Sequence, residues 1–191
     1  TQYTSSAASD VYKRQFLADL DKKNLQLKIK DILEGNYIID KRTLLSGSVI
    51  SNDKKYNSIA LNDIVINNRG ILKMIEMNIY VNENLITKQR SDGVIIATPT
   101  GSTAYAMSNG CPIVSPNSNV TCIVPIAPHS YGQRSVIVNN TDDILIEINK
   151  NKDTSFAFSD SDMVGYGSDK KELTYTVADA NIKNYPISED F

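Results

Sequence analysis

The sequence contains no tryptophan and a single histidine, and only two of its 191 residues are cysteine. One histidine cannot build a multi-histidine metal centre, and two cysteines lack the spacing of a thiolate zinc site. Cys111 and Cys122 could in principle bridge, but both sit in apolar-flanked stretches, and buried free thiols in a reducing compartment are the expectation. Net charge is low, with 20 Lys plus Arg against 22 Asp plus Glu, so no basic field exists to draw in nucleic acid. No apolar run approaches the roughly 20 residues of a membrane span. Secretory leader features are missing too, and a cytoplasmic location is expected. Neither a Walker A run nor the dinucleotide glycine fingerprint occurs. A Ser–His–Asp triad is numerically possible, yet nothing in the sequence draws its members together.

What is present points to β structure. Of the residues, 41% are apolar and ten are tyrosine, and Ile and Val are abundant. Residues 1–15 show no apolar period and read as a disordered or foreign leader. Leu25, Ile29, Ile32 and Leu33 fall at helical spacing, with Gly35 placed as a C-terminal cap, which predicts a helix of about three turns starting near residues 21–24. Beyond Gly35 the period becomes two. Strands are expected within residues 36–50, 59–66, 73–81, 85–89, 120–126, 134–138, 144–148, 154–158 and 173–178. Polar turns are expected at 51–57 and at Asn82-Glu83-Asn84. Short strands with regular turn signals indicate a mainly β fold, a sandwich or similar layered sheet, with one N-terminal helix.

One stretch carries most of the functional signal, RSDGVIIATPTGSTAYAMSNG, residues 90–110. Val94 to Ala97 holds no polar residue, as in a strand covered on both faces. TPTGSTAY follows, with five of eight residues Gly, Ser or Thr, and such a loop lets backbone N–H groups approach a ligand. Ser102 or Thr103 is expected to cap a short helix that Asn109-Gly110 ends. Elsewhere Asn62-Asp63 interrupts an apolar strand, either facing solvent there or serving a ligand. Asp92 suits a ribose hydroxyl pair or an amine, or simply forms the turn. Tyr105 could stack on a planar base or cap the core. His129 follows two prolines, Pro125 and Pro128, and a lone histidine is more often structural than functional.

The run SDGVIIATPTGSTAYAMSNGCPIVSP resembles the signature of the NAD kinase family, a DG-(apolar)-TPTGSTAY-S-GGPIV pattern. Flanking FLADLDKKNL, ALNDIVI, MIEMNIYVN and PIAPHSYGQRSVIV are similar to family segments in the same order, so the resemblance spans about residues 16–180. It implies transfer of a phosphoryl group from ATP or polyphosphate, with a divalent metal such as Mg in the full enzyme, to the 2′-hydroxyl of the adenosine ribose of NAD, giving NADP. No prosthetic group or metal site in this chain is implied.

Matched position by position, the resemblance implies NAD contacts at Asn62, Asp63, Lys73, Arg90 and Asp92. It also implies a wrapping segment of Thr103, Ala104, Tyr105, Ala106, Met107 and Ser108. His129 matches a family histidine, and Asp162 lies where many members have Asp-Gly-Gln and this chain has Asp160-Ser161-Asp162. The family's GGDGT motif, whose Asp is the proposed base, does not occur. The expectation is therefore a C-terminal β domain over 16–191, with the end of an upstream α/β domain at about 16–35, inactive alone and self-associating as a dimer or tetramer. Two rivals are the related lipid and sphingoid kinases and a non-catalytic β-sandwich binding module.

Overall fold

The computed structural model describes residues 25–51, 54–68, 74–148, 156–160, 174–175 and 179–185. The chain divides into two compact units, Thr1–Lys41 and Arg42–Phe191. In the first, helix α1 (Leu25–Leu33) ends as its sequence dictates. Gly35 takes φ 79° and Asn36 N donates to the Asp31 carbonyl at 2.8 Å, which closes the last turn.

The described residues of the second unit form twelve strands in two sheets of six. Sheet A runs β2 (Lys54–Ala60), β1 (Leu44–Ser51), β12 (Asp179–Tyr185), β9 (Ile144–Ile148), β4 (Ile75–Val81), β5 (Asn84–Ser91). Sheet B runs β11 (Thr174–Tyr175), β10 (Phe156–Asp160), β3 (Asp63–Asn68), β6 (Gly93–Ala97), β7 (Val120–Ile126), β8 (Val136–Asn139). Every recorded pairing is antiparallel. The mainly β, layered fold expected from the strand spacing is what forms. In sheet A, β12 joins the β1–β2 hairpin on one side to β9 on the other.

Alternation decides the packing. Ile75, Met77 and Ile79 of β4 point inward, as their period of two predicts, and Glu76 is exposed. Those three meet Leu45, Ile144, Ile146 and Ile148 of sheet A and Ile64, Ile66, Val94, Ile96 and Ile123 of sheet B in one cluster. A second cluster lies on the opposite face of sheet B: Val65, Ile95, Ala97, Cys122, Val124 and Ile126, covered by Ala106 and Cys111. Strand β6 thus gives Val94 and Ile96 to one core and Ile95 and Ala97 to the other, which is why its sequence alternates with nothing polar. Burying an isoleucine side chain contributes about 1.5–3 kcal/mol.

Three local expectations are corrected, and one strand falls outside the expected set. Residues 59–66 are not one strand: β2 ends at Ala60, the chain turns at Leu61-Asn62, and β3 starts in the other sheet. The polar stretch 51–57 is largely strand, since Ser51 pairs with Lys54 and the hairpin continues to Ala60. Residues 36–43 lie outside any strand, and β1 begins only at Leu44. Strand β12 has a polar sequence, DANIKNY, that gave no period-two signal. At Asn82-Glu83 the expected hairpin forms, with φ 48° and 66°, the left-handed pair that a two-residue turn requires.

Candidate functional site

Strand β6 delivers the chain into the TPTGSTAY loop, and the loop is fastened to the Leu61-Asn62 turn. Thr98 N donates to the Asn62 carbonyl at 2.8 Å, and Thr98 Oγ1 donates to the Leu61 carbonyl at 2.6 Å. That same Oγ1 accepts the Gly101 N–H at 3.0 Å. A Cβ at Gly101 would run into the Asn62 backbone carbonyl, so only glycine fits the crossing. The hydroxyls are therefore used within the loop. Ser102 Oγ donates to the Pro99 carbonyl at 2.7 Å and accepts the Val114 N–H at 3.0 Å, and Thr103 Oγ1 donates to the Thr100 carbonyl at 3.2 Å. The composition of the loop suggests hydroxyls free to meet a ligand, but the three that are described in these bonds brace the backbone.

A 3₁₀ turn (Gly101–Thr103) leads to the one-turn helix α2 (Tyr105–Ser108). Its N-cap is Ala104, with no side-chain cap, so neither Ser102 nor Thr103 caps it. Gly110, at φ 82°, ends it as expected. Ala106 faces the second core and is wholly buried, whereas Tyr105 (43% exposed) and Met107 (38%) face outward beside exposed Ser108. Tyr105 does not cap the core. Only the backbone of Ala106 can serve a ligand, and its carbonyl already accepts the N–H groups of Asn109 and Cys111.

Asn62 and Asp63 stand at the loop's foot, 8% and 0% exposed, with Asp63 opposite Ala97 in the β3–β6 ladder. Arg42 reaches the same loop, its Nη1 donating to Thr100 Oγ1 at 3.4 Å. No pattern in the sequence marks Arg42, because 58 positions separate it from Thr100.

Arg90, Asp92 and His129 gather at the other end of β6. Asp92 N donates to the Ile126 carbonyl at 3.0 Å and His129 N to the Arg90 carbonyl at 3.0 Å. All three side chains are exposed. Arg90 Nε lies 3.9 Å from Glu76 Oε1, a loose solvent-facing pair of little energetic weight. Beneath them, buried Gln89 and Ser91 hold the corner: Ser91 Oγ donates to the Gly93 carbonyl at 2.8 Å, and Gln89 Nε2 to Ser91 Oγ at 3.0 Å. Four residue steps of strand, about 13 Å, divide this group from the loop group. The structure thus unites Asn62, Asp63 and residues 98–108, unites Arg90, Asp92 and His129, and keeps the two sets apart. Lys73 and Asp162 lie outside the described residues. Among the described residues no cluster of three or more His, Cys, Asp or Glu is arranged to hold a metal ion, and no helix is long and apolar enough to cross a membrane.

The chain resembles known proteins over most of its length. Residues 61–186 match the model of the ATP-NAD kinase C-terminal domain. An NAD kinase of Lachnospira eligens is 40% identical over 141 residues, 73% of this chain and 48% of the relative. One from Thermoanaerobacter sp. is 40% identical over 161 residues, 84% of this chain and 56% of the relative. Among solved structures, yeast NADH kinase complexed with NADH superposes with a TM-score of 0.77 at 25% identity, covering 90% of this chain and 48% of that one. An NAD kinase from Archaeoglobus fulgidus in complex with ATP gives 0.69 at 25% identity, covering 88% of this chain and 60% of that one. The chain spans about half the length of the curated relatives it matches. With 126 of its 191 residues (61–186) matching that model, the chain belongs to the ATP-NAD kinase C-terminal domain family.

Proposed function

We propose that this chain is the NAD-binding half of an NAD kinase, which transfers the γ-phosphoryl group of ATP, or a phosphoryl group of polyphosphate, to the 2′-hydroxyl of the adenosine ribose. One observation carries this most: the TPTGSTAY loop is locked onto Asn62 and turned so that Tyr105, Met107 and Ser108 stand outward. A rigid backbone with an exposed aromatic rim suits a flat, hydroxylated ligand, because little ordering remains to be done on binding. Asn62 and Asp63 set the floor at the loop's foot. Thr103 and Ala104 offer backbone, Ala106 seats the turn on the core beneath them, and Arg90 and Asp92, with His129 near, would meet a different part of the ligand or a second molecule. Lys73 and Asp162 complete the set by sequence match alone.

Phosphoryl transfer asks the protein chiefly to position reactants and neutralise charge. This chain's part is to hold the acceptor ribose. The base that takes the hydroxyl proton and the donor's phosphates belong to an upstream α/β domain bearing GGDGT. A divalent ion would neutralise phosphate charge, but the described residues offer it no cluster, so no step here runs through it. Residues 16–35 are taken as the end of that upstream domain. In support, Leu27, Ile32 and Leu33 of α1 are exposed, as on a helix that expects a cover. Self-association through the β domain and a cytoplasmic setting complete the proposal.

Titration with NAD, NADP and diacylglycerol vesicles while following thermal unfolding tests it. Ligand at ten times its dissociation constant adds about 1.4 kcal/mol, or about 3–6 °C for a domain of this size. A shift with millimolar NAD or NADP and none with lipid is expected. A shift with lipid alone would sink the proposal, and phosphorylation of NAD by the purified chain would overturn the division of labour.

A further inference from the structure

The sequence holds one Asn-Gly pair, Asn109-Gly110, and it falls at the end of α2. Asparagine before glycine is the pair most open to attack on the side-chain amide by the next backbone nitrogen, because glycine has no Cβ to block the approach. Gly110 is exposed and Asn109 half-buried, so water reaches both. The fold holds the pair away from that reaction. Closing a ring between the Gly110 nitrogen and Asn109 Cγ needs a ψ of about −120° at Asn109, outside the allowed helical and extended regions. At the end of α2 that ψ is 18°. Three hydrogen bonds fix it: Gly110 N–H to the Met107 carbonyl at 3.1 Å, Cys111 N–H to the Ala106 carbonyl at 3.1 Å, and Asn109 Nδ2 to the Tyr105 carbonyl at 3.1 Å. Cys111 is also buried in the second core, so Asn109 turns only when the end of α2 lifts.

We propose that Asn109-Gly110 is a deamidation site gated by the α2 turn, where uptake of water and loss of ammonia convert Asn109 to aspartate or isoaspartate. The site goes beyond the binding function proposed above and does not depend on it, although the rim it disables is the same one. Opening a one-turn surface helix lies at the low end of the range of local stabilities in a domain. The reaction therefore runs from the opened turn, at a rate that the turn sets.

In the first step the Gly110 nitrogen attacks Asn109 Cγ: a C–N bond forms, the Cγ–Nδ2 bond breaks, and Nδ2 leaves as ammonia with the Gly110 proton. The product is a five-membered succinimide. In the second, one water cleaves the ring. Cleavage at Cγ gives aspartate, and cleavage at the backbone carbonyl carbon gives isoaspartate, whose chain runs through the side chain. One water enters and one ammonia leaves. Neither product rebuilds the turn intact. Aspartate sets a carboxylate oxygen against the Tyr105 carbonyl, where the amide had donated. Isoaspartate adds a backbone carbon between the Met107 carbonyl and the Gly110 N–H. Each opening that reacts thus withdraws Tyr105, Met107 and Ser108 from the rim for good.

The 191-residue chain is incubated at mildly alkaline pH, folded and in urea, and the tryptic fragment Ser91–Arg134 is followed by mass and by fragmentation. That fragment also contains Asn117 and Asn119, which precede Ser118 and Val120 and serve as internal controls. Conversion first at Asn109 is expected, at least about tenfold slower in the folded chain. Ala106→Gly, which loosens α2, should speed the folded reaction about two- to fivefold, the weight of glycine against alanine in a helix. Ile79→Val lowers stability from the other core and should leave the folded rate unchanged. The converted chain should show amide exchange over residues 105–111 at least about tenfold faster. Asn109 still intact in the folded chain after about a hundred unfolded-state half-lives, or conversion first at Asn117 or Asn119, would overturn the site. Equal folded and unfolded rates, or equal acceleration by Ile79→Val, would overturn the gate, and unchanged exchange would overturn the loss of the turn.

Discussion

Replacing Gly101 by alanine tests whether the loop's shape rests on one backbone crossing. The new methyl would meet the Asn62 carbonyl oxygen, its carbon and its Cα, all backbone atoms at the start of β3 that cannot swing aside as a side chain would. Relief requires the loop to lift, and lifting stretches three bonds: Thr98 N to Asn62 at 2.8 Å, Thr98 Oγ1 to Leu61 at 2.6 Å, and Gly101 N to Thr98 Oγ1 at 3.0 Å. A hydrogen bond contributes about 1 kcal/mol net, and a buried group left unpaired costs about 1–3 kcal/mol. The expected loss is about 3 kcal/mol, or about 6–12 °C in Tm for a domain of this size. Gly110→Ala is the control. Nothing lies within 4 Å of its would-be Cβ, and only φ 82° opposes the change, a cost of about 1–2 kcal/mol. Urea unfolding of both variants separates crowding from backbone strain. A Gly101→Ala loss below about 0.5 kcal/mol, within the range of an ordinary surface substitution, would refute the crossing.

Ile95→Ala and Ile96→Ala, on opposite faces of β6 and both fully buried, should each destabilise by about 2–5 kcal/mol in denaturant melts. Near-zero cost at Ile95 would mean the second core is not packed. The Tyr80 hydroxyl donates to Glu147 Oε2 at 2.8 Å, which raises its pKa above 10.0. The bond's contribution is therefore present below pH 10 and lost as pH rises through the folded value. Ultraviolet titration should find one late-ionising tyrosine that Tyr80→Phe removes. Asn82→Ala should cost about 2 kcal/mol, because its side chain bonds Asp142 Oδ1 at 2.8 Å and Asp143 N at 3.0 Å; Asn82→Gly should lose the bonds but keep the turn, and equal melts for Asn82→Ala and wild type would contradict it.

The sequence spoke clearly where burial was one-sided or two-sided throughout. Strand β4 alternates because one face is wet, and β6 runs apolar because both faces are dry. It was silent where an apolar stretch hides a change of sheet: Ile59 to Ile66 looks continuous, since Asn62-Asp63 differs too little from a wet strand position to announce a turn. Strand β12 escaped because its place rests on ladder hydrogen bonds that any residue but proline can make. For the site, the loop's composition was legible, but not the direction of its hydroxyls, nor Arg42, nor the corner held by Gln89 and Ser91. Pro125 sits within β7 opposite Val94, at a point where β8 has already stopped pairing, so its missing N–H falls on the strand's open edge.

The central place of β12 in sheet A has a consequence for synthesis. Its residues 179–185 pair with β1 at residues 44–50, so the strand that completes the sheet leaves the ribosome 128 positions after β1 ends at Ser51. At ordinary elongation rates that interval is on the order of ten seconds. Meanwhile β1 and β9 each present an unclaimed ladder edge, and any chain able to extend it is a competitor. A nascent chain of this domain is therefore most exposed to misassembly just before its last sheet strand emerges, and chaperone dependence should peak there.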